Sequence, residues 1–171
     1  HTPETSESGR IHGMPLATLL GYGYPTLTSL VHPQAKFKPE NVCLIGVRSF
    51  EKGEEELLTR LNVRVYYMEE VTKRGFDTVL AEAVQHVTRN TVAYGLTLDM
   101  DAIDPLDAPG VDVPEDNGIR GADVCQALAG MMHDDRLVAT ELVEFDPGQD
   151  VDGKTEHLLA DILGIIARAK T

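Results

Sequence analysis

Leu96-Thr97-Leu98-Asp99-Met100-Asp101-Ala102-Ile103-Asp104-Pro105 is the stretch from which the fold is read. An apolar run from Val92 to Leu98 leads into three carboxylates and stops at a proline. An apolar run bounded by a turn signal predicts a buried strand. Side chains alternate faces along a strand, so Asp99 and Asp101 are expected to point one way and Met100 the other. Two carboxylates on one face repel each other unless a cation lies between them. Carboxylate oxygens suit Mg, Ca or Mn. Asp104 precedes Pro105 and is expected in a turn, its side chain accepting from nearby backbone amides. A lone Asp-x-Asp is common and does not by itself define a metal site. An EF-hand does not fit, because its loop spaces its acids differently and is entered from a helix.

Working outward, strands alternate with helices. Asn41 to Val47 is a near-continuous apolar run, which predicts a strand buried on both faces. Val63 to Tyr67 and Leu137 to Phe145 predict further strands. Short helices are expected over Leu16–Leu20 and Glu54–Leu61, the second with Leu57, Leu58 and Leu61 inward. Phe76, Val79, Leu80, Ala83, Val84 and Val87 recur at helical spacing and predict a helix over Phe76–His86. A helix over Ala122–Met132 turns Val124, Ala127, Leu128 and Met131 inward. A last one, Glu156–Arg168, does so with Leu158, Leu159, Ile162, Leu163 and Ile166, and Arg168 and Lys170 suit its C-terminal dipole. Residues 1–12 and 110–118 read as loops, and residues 25–40, with three prolines, as a loop or a broken helix. The pattern predicts an α/β fold with a mostly parallel sheet and flanking helices.

The chain has 171 residues, 42% of them hydrophobic, enough for the core of one domain. Its net charge of -13 excludes nucleic acid and anionic membrane as natural partners, since both need basic patches. Cys43 and Cys125 lie in apolar-periodic segments and read as buried thiols of a reducing, cytoplasmic protein. No run reaches the length of a membrane span, and no stretch reads as a signal peptide.

Ligands of open parallel sheets bind beyond the carboxyl ends of the strands. Arg48, Ser49 and Glu51 follow the first strand, Asp99 and Asp101 end the third, and Glu144 and Asp146 end the fourth. Three strand ends thus converge on polar chemistry.

Three ordered motifs carry a family resemblance. They are Ser8-Gly9-Arg10-Ile11-His12-Gly13-Met14-Pro15, then Leu98 to Pro105 with Ala108-Pro109-Gly110, then Leu142-Val143-Glu144-Phe145-Asp146-Pro147. Together they resemble the ureohydrolases, the arginase/agmatinase family, with the arginase branch nearest. The resemblance implies an arginase-like three-layer α/β domain. It also implies two Mn²⁺ ions bridged by a hydroxide that attacks a guanidinium carbon, with urea leaving. Paired metals supply hydroxide near neutral pH and stabilise the tetrahedral intermediate of a poor electrophile. By position, Asp99 and Asp101 resemble metal ligands. Glu144 resembles the carboxylate that grips the guanidinium, and His12 the proton shuttle to the leaving amine. Ser8 falls where the family binds the substrate α-carboxylate, and Glu51 where arginases place an acid near the α-amino group. Assembly into trimers or hexamers is implied in the same way.

Two further metal motifs of the family, a Gly-Gly-Asp-His segment and an Asp-x-His-x-Asp segment, do not occur in the chain. The expectation is therefore the C-terminal portion of one ureohydrolase domain, incomplete at the N-terminus. A central strand and at least half the metal ligands would lie upstream, and these residues alone would be inactive. Arg10 stands for the usual Asn, Val111-Asp112-Val113-Pro114 for Gly-Thr-Pro, and Glu51 for Asp. Agmatine and other guanidino compounds thus stay open beside L-arginine. Two other readings compete. One is a phosphatase of the haloacid-dehalogenase type, with Asp99 as nucleophile. The other is a folded, non-catalytic assembly module. His32, His86, His133 and His157 read as surface or rim residues.

Overall fold

The protein is described from a computed structural model covering residues 1–168. In chain order it contains α1 (Pro15–Leu19), α2 (Pro25–Thr28), β1 (Cys43–Val47), α3 (Lys52–Leu61), β2 (Arg64–Tyr67) and α4 (Met68–Arg74). There follow α5 (Phe76–Val87), β3 (Tyr94–Asp99), α6 (Gly121–Met131), β4 (Leu137–Val143) and α7 (Lys154–Arg168). Single 3-10 turns occur at Ile11–Gly13, Pro39–Asn41 and Met100–Ala102. Lys170, assigned above to the end of the last helix, lies outside the described residues.

The strands form two two-stranded sheets, β1 with β2 and β3 with β4. β3 and β4 run parallel, with Leu96 opposite Thr140, Leu98 opposite Leu142 and Asp99 opposite Val143. Parallel neighbours need a crossover, and α6 lies within it. The α/β class read from the alternation of strands and helices is what the chain adopts.

Two compact units are distinguished. The first comprises His1–Leu44 and Phe50–Val65. Pro15 and Pro25 open α1 and α2, where a missing amide hydrogen does no harm. Met14, Ala17 and Leu20 supply buried apolar surface beside them. The second unit comprises Ile45–Ser49 and the residues from Tyr66 onward. There α4 packs on α5, α5 on α6 and α6 on α7. Val79, Met100, Ile103, Ala108, Val124, Leu128 and Ile162 are almost wholly buried. Val79, Leu80 and Ala83 line one face of α5, as their spacing predicts.

Several local expectations are corrected. α4 was not anticipated. Its sequence, Met68-Glu69-Glu70-Val71-Thr72-Lys73-Arg74, buries only Val71, so it shows no period. Its early acids and late bases suit the helix dipole instead. Arg74 also pairs with Glu70 and with Glu82 of α5. The strand before the aspartates begins at Tyr94, and Val92 is almost fully exposed. Within β1 only Gly46 is buried, so the strand is not shielded on both faces. Leu163 faces out, because it sits about 100° around α7 from the buried Ile162. Cys43 and Cys125 form no disulfide and are only half-buried. His32, His133 and His157 are exposed, whereas His86 Nε2 is buried without a hydrogen-bond partner among the described residues.

Candidate active site

The site begins where β3 stops. The strand ends at Asp99, and Met100–Ala102 close into a 3-10 turn. Strand alternation therefore does not reach Asp101, contrary to the expectation from spacing. Asp99 instead caps the turn, its Oδ1 accepting the amide of Asp101 at 2.9 Å. Short acidic side chains compete for nearby amides in this way, and that ends the strand. The two carboxylates are adjacent through a capped turn. Met100 between them is fully buried and anchors it.

Asp104 fixes the next corner. Its Oδ1 accepts from Leu106 N at 3.0 Å and its Oδ2 from Gly118 N at 3.1 Å, the turn role read from its place before Pro105. Ile103 and Ile119 form a parallel bridge, with Asp104 N donating to Ile119 O and Ile119 N to Ala102 O. Only glycine fits at position 118. A Cβ there would lie 2.5 Å from Asp104 N and 2.6 Å from the Ile103 carbonyl carbon.

Arg48, just beyond β1, ties both segments. Its Nη2 donates to Asp101 O and to Glu115 O, each at 2.7 Å. Its Nε donates to Asp116 O at 3.1 Å and its Nη1 to Ala102 O at 3.4 Å. All four bonds go to carbonyls, so the guanidinium charge is not cancelled by a directly bonded carboxylate.

Glu144 follows Val143, the β4 residue opposite Asp99. Its φ of 62° lies in the left-handed region, which a non-glycine side chain occupies at a cost of about 1 kcal/mol or more. Such strain is typical of residues held in place for a task. Asp146 N, two residues on, is held by Gly110 O at 2.9 Å.

Burial and neighbouring carboxylates disfavour the charged forms of Asp99 and Asp101. Burial pushes Asp99 up, the Asp101 amide pulls it down, Glu144 raises it again and Arg48 opposes. Asp101 is pushed up to about 7, first by burial and then by Asp99 and Glu144, with Asp112 adding and Arg48 opposing. Asp101 Oδ1 is shielded from solvent and has no hydrogen-bond partner among the described residues. An orphaned, buried carboxylate oxygen is costly unless a donor or a cation meets it.

These donors are all carboxylate oxygens, the chemistry that hard divalent cations prefer. Asp99 and Asp101 thus fit such an ion in kind. They do not complete a ligand set: among the described residues no group of three or more His, Cys, Asp and Glu side chains is arranged to hold a metal.

Ser8, His12 and Glu51 belong to the first unit. Ser8 is exposed, and its Oγ accepts from Arg10 N at 3.3 Å. His12 sits in the Ile11–Gly13 turn with its side chain in solvent. Glu51 is the N-cap of α3, its amide donating to Glu54 Oε2 at 2.9 Å, and its carboxylate lies 3.8 Å from the His1 imidazole. Asp99, Asp101 and Glu144 are thus brought together in the second unit, joined by two groups that sequence reasoning gave no role. Asp112 had appeared only as a departure from Gly-Thr-Pro. Arg48 had appeared only as a strand-end residue, and that position was the one signal available.

Among known proteins of similar sequence and structure, arginases recur. The sequence matches the arginase family over residues 1–167. An arginase of Brevibacillus brevis is 40% identical over 166 residues, which cover 97% of this chain and 56% of that protein. The solved arginase of Bacillus caldovelox superposes with a TM-score of 0.92 at 37% identity, over 97% of this chain and 56% of the other. An Entamoeba histolytica arginase in complex with L-ornithine gives a TM-score of 0.88 at 28% identity, over 97% and 55%. The chain therefore spans about half the length of the relatives it matches.

Proposed function

The chain belongs to the arginase family, and on that premise we propose that it supplies part of a manganese-dependent site that hydrolyses a guanidino compound, L-arginine foremost, to release urea. The observation that carries this reading is the shielded, unpartnered Oδ1 of Asp101 beside Asp99 and Glu144. In this reading Asp99 and Asp101 hold metal. When bound, manganese supplies a water activated for hydrolysis near neutral pH.

The remaining roles fall to the protein's own groups. Glu144 pairs with the substrate guanidinium, a charge-assisted contact that fixes orientation as well as affinity. Its left-handed backbone defines the direction from which the carboxylate is offered. The exposed imidazole of His12 passes a proton to the leaving amine, acid–base work that histidine side chains perform most often. Ser8 binds the α-carboxylate through Oγ, and Glu51 answers the α-amino group. Hydrolysis of an arginine guanidinium leaves ornithine, the molecule present in the Entamoeba histolytica structure. Assembly as a trimer or hexamer and a cytoplasmic location complete the reading. No described helix is long and apolar enough to cross a membrane.

A second reading applies to the 171 residues taken alone: a folded, non-catalytic module. It is favoured by the absence, among the described residues, of a group of three metal-capable side chains. The phosphatase alternative gains no support from the family match. One experiment separates the readings. Urea release from arginine and agmatine is measured with Mn²⁺ for the chain alone and for the chain joined to the portion of the Brevibacillus brevis relative that it does not span. Urea from the joined protein and none from the chain alone is the expected result. A folded joined protein that releases urea from neither compound overturns the proposal.

A further inference from the structure

We propose that Arg48 is the positioning residue of the carboxylate turn: by holding four backbone carbonyls it sets where Asp101 presents its free oxygen. The inference rests on the reading of Asp99 and Asp101 as metal ligands, and concerns what aims them.

Besides the buried Met100 side chain, the turn has few other restraints. Its internal bonds are Asp101 N to Asp99 Oδ1 and Ile103 N to Met100 O. The bridge at Ile103 and Ile119 joins it to the 115–119 segment from one side. Arg48 closes the other side, with two bonds into Asp101 and Ala102 and two into Glu115 and Asp116. The planar guanidinium presents five N–H donors in a fixed fork, so it can bond several carbonyls at once. A lysine ammonium is a point charge with three donors and cannot reproduce that pattern.

The guanidinium does two things there. It takes up carbonyls of both segments, Asp101 and Ala102 from the turn and Glu115 and Asp116 from beyond it. It also places an uncancelled positive charge beside Asp99 and Asp101 without occupying their carboxylate oxygens, which leaves those oxygens for a cation. Groups that orient metal ligands from behind typically change metal affinity by about 10- to 100-fold when removed. The Asp101 carbonyl, fixed by Arg48, lies on the same residue as the presented carboxylate. Displacing the backbone therefore displaces the ligand.

The test uses the 171-residue chain with Arg48→Met, which keeps an unbranched stem, and Arg48→Lys, which keeps the charge. Amide hydrogen exchange is followed in the metal-free protein. Binding of Mn²⁺ alone is followed by paramagnetic broadening near Asp101, a readout that registers weak association. Arg48→Met is expected to lower protection of the Ile103 and Ile119 amides by about tenfold, the scale of one or two net hydrogen bonds. Protection in α5, α6 and α7 stays at the wild-type level. The Mn²⁺ dissociation constant rises by about 10- to 100-fold. Arg48→Lys falls between, showing that the fork matters beyond the charge, and stands in if the methionine variant does not fold. Wild-type protection at Ile103 and Ile119 overturns the proposal. So does a uniform loss across all helices, or unchanged Mn²⁺ binding despite a loosened turn. If the wild type itself shows no Mn²⁺ effect, the metal reading falls, and the exchange data alone decide whether Arg48 fixes the turn.

Discussion

Asp99 Oδ1 accepts the amide hydrogen of Asp101 at 2.9 Å. One acid thus spends an oxygen on the backbone of the other, and the second acid is left with an oxygen that nothing in the described protein meets. The asymmetry separates their roles: Asp99 builds the turn, and Asp101 is displayed by it.

The first prediction concerns Asp101→Asn in the metal-free chain. The folded pKa of Asp101 is about 7, against about 3.9 for an unstrained aspartate. The folded state therefore binds the proton more tightly. Its contribution to stability is complete below pH ~4 and is lost as pH rises through 7. Asparagine mimics the protonated form at every pH. The variant should match wild type near pH 4 and melt higher at pH 8. Added Mn²⁺ should raise only the wild-type melting temperature. Thermal melts across pH, with and without the metal, check both parts.

Glycines 118 and 130 should respond to alanine with opposite signs. At Gly118 the new methyl would press on backbone atoms of Ile103 and Asp104, at a cost of about 1–3 kcal/mol. At Gly130, exposed in α6 with nothing within 4 Å, alanine should add about 0.5–1 kcal/mol of stability. Denaturant titration of the two variants gives the comparison directly.

A third prediction falls in the first unit. Val31 has φ 69° and is 99% exposed, so a β-branched residue stands in the left-handed region with no packing to compensate. Lys36 Nζ holds the loop in shape through Thr28 O, His32 O and Gln34 O at 2.6, 2.7 and 2.9 Å. Asparagine tolerates this conformation. Val31→Asn should stabilise the chain by about 1 kcal/mol, a rise of about 2–4 °C in melting temperature.

What was legible in the sequence follows from what leaves a periodic or punctuating trace. The face of α5 was read correctly because Val79, Leu80 and Ala83 recur at helical spacing. The Asp104 turn was read correctly because an acid before proline has few other uses. α4 escaped because one buried valine makes no period. The geometry of Asp99 and Asp101 was misjudged for a physical reason. Strand alternation was extended two residues past the point where a side chain captured the backbone. Arg48 left only its strand-end position as a trace, since bonds to distant carbonyls depend on the fold and not on neighbouring residue types. The strain at Glu144 was equally silent, because φ is not written in composition.

The most direct test of the central claim is the manganese retained after dialysis by the joined protein, measured per molecule by elemental analysis, for wild type and for Asp101→Asn. The account predicts two ions in the wild type and the loss of at least one in the variant. No manganese in a folded wild-type protein, or an equal content in both, would contradict it.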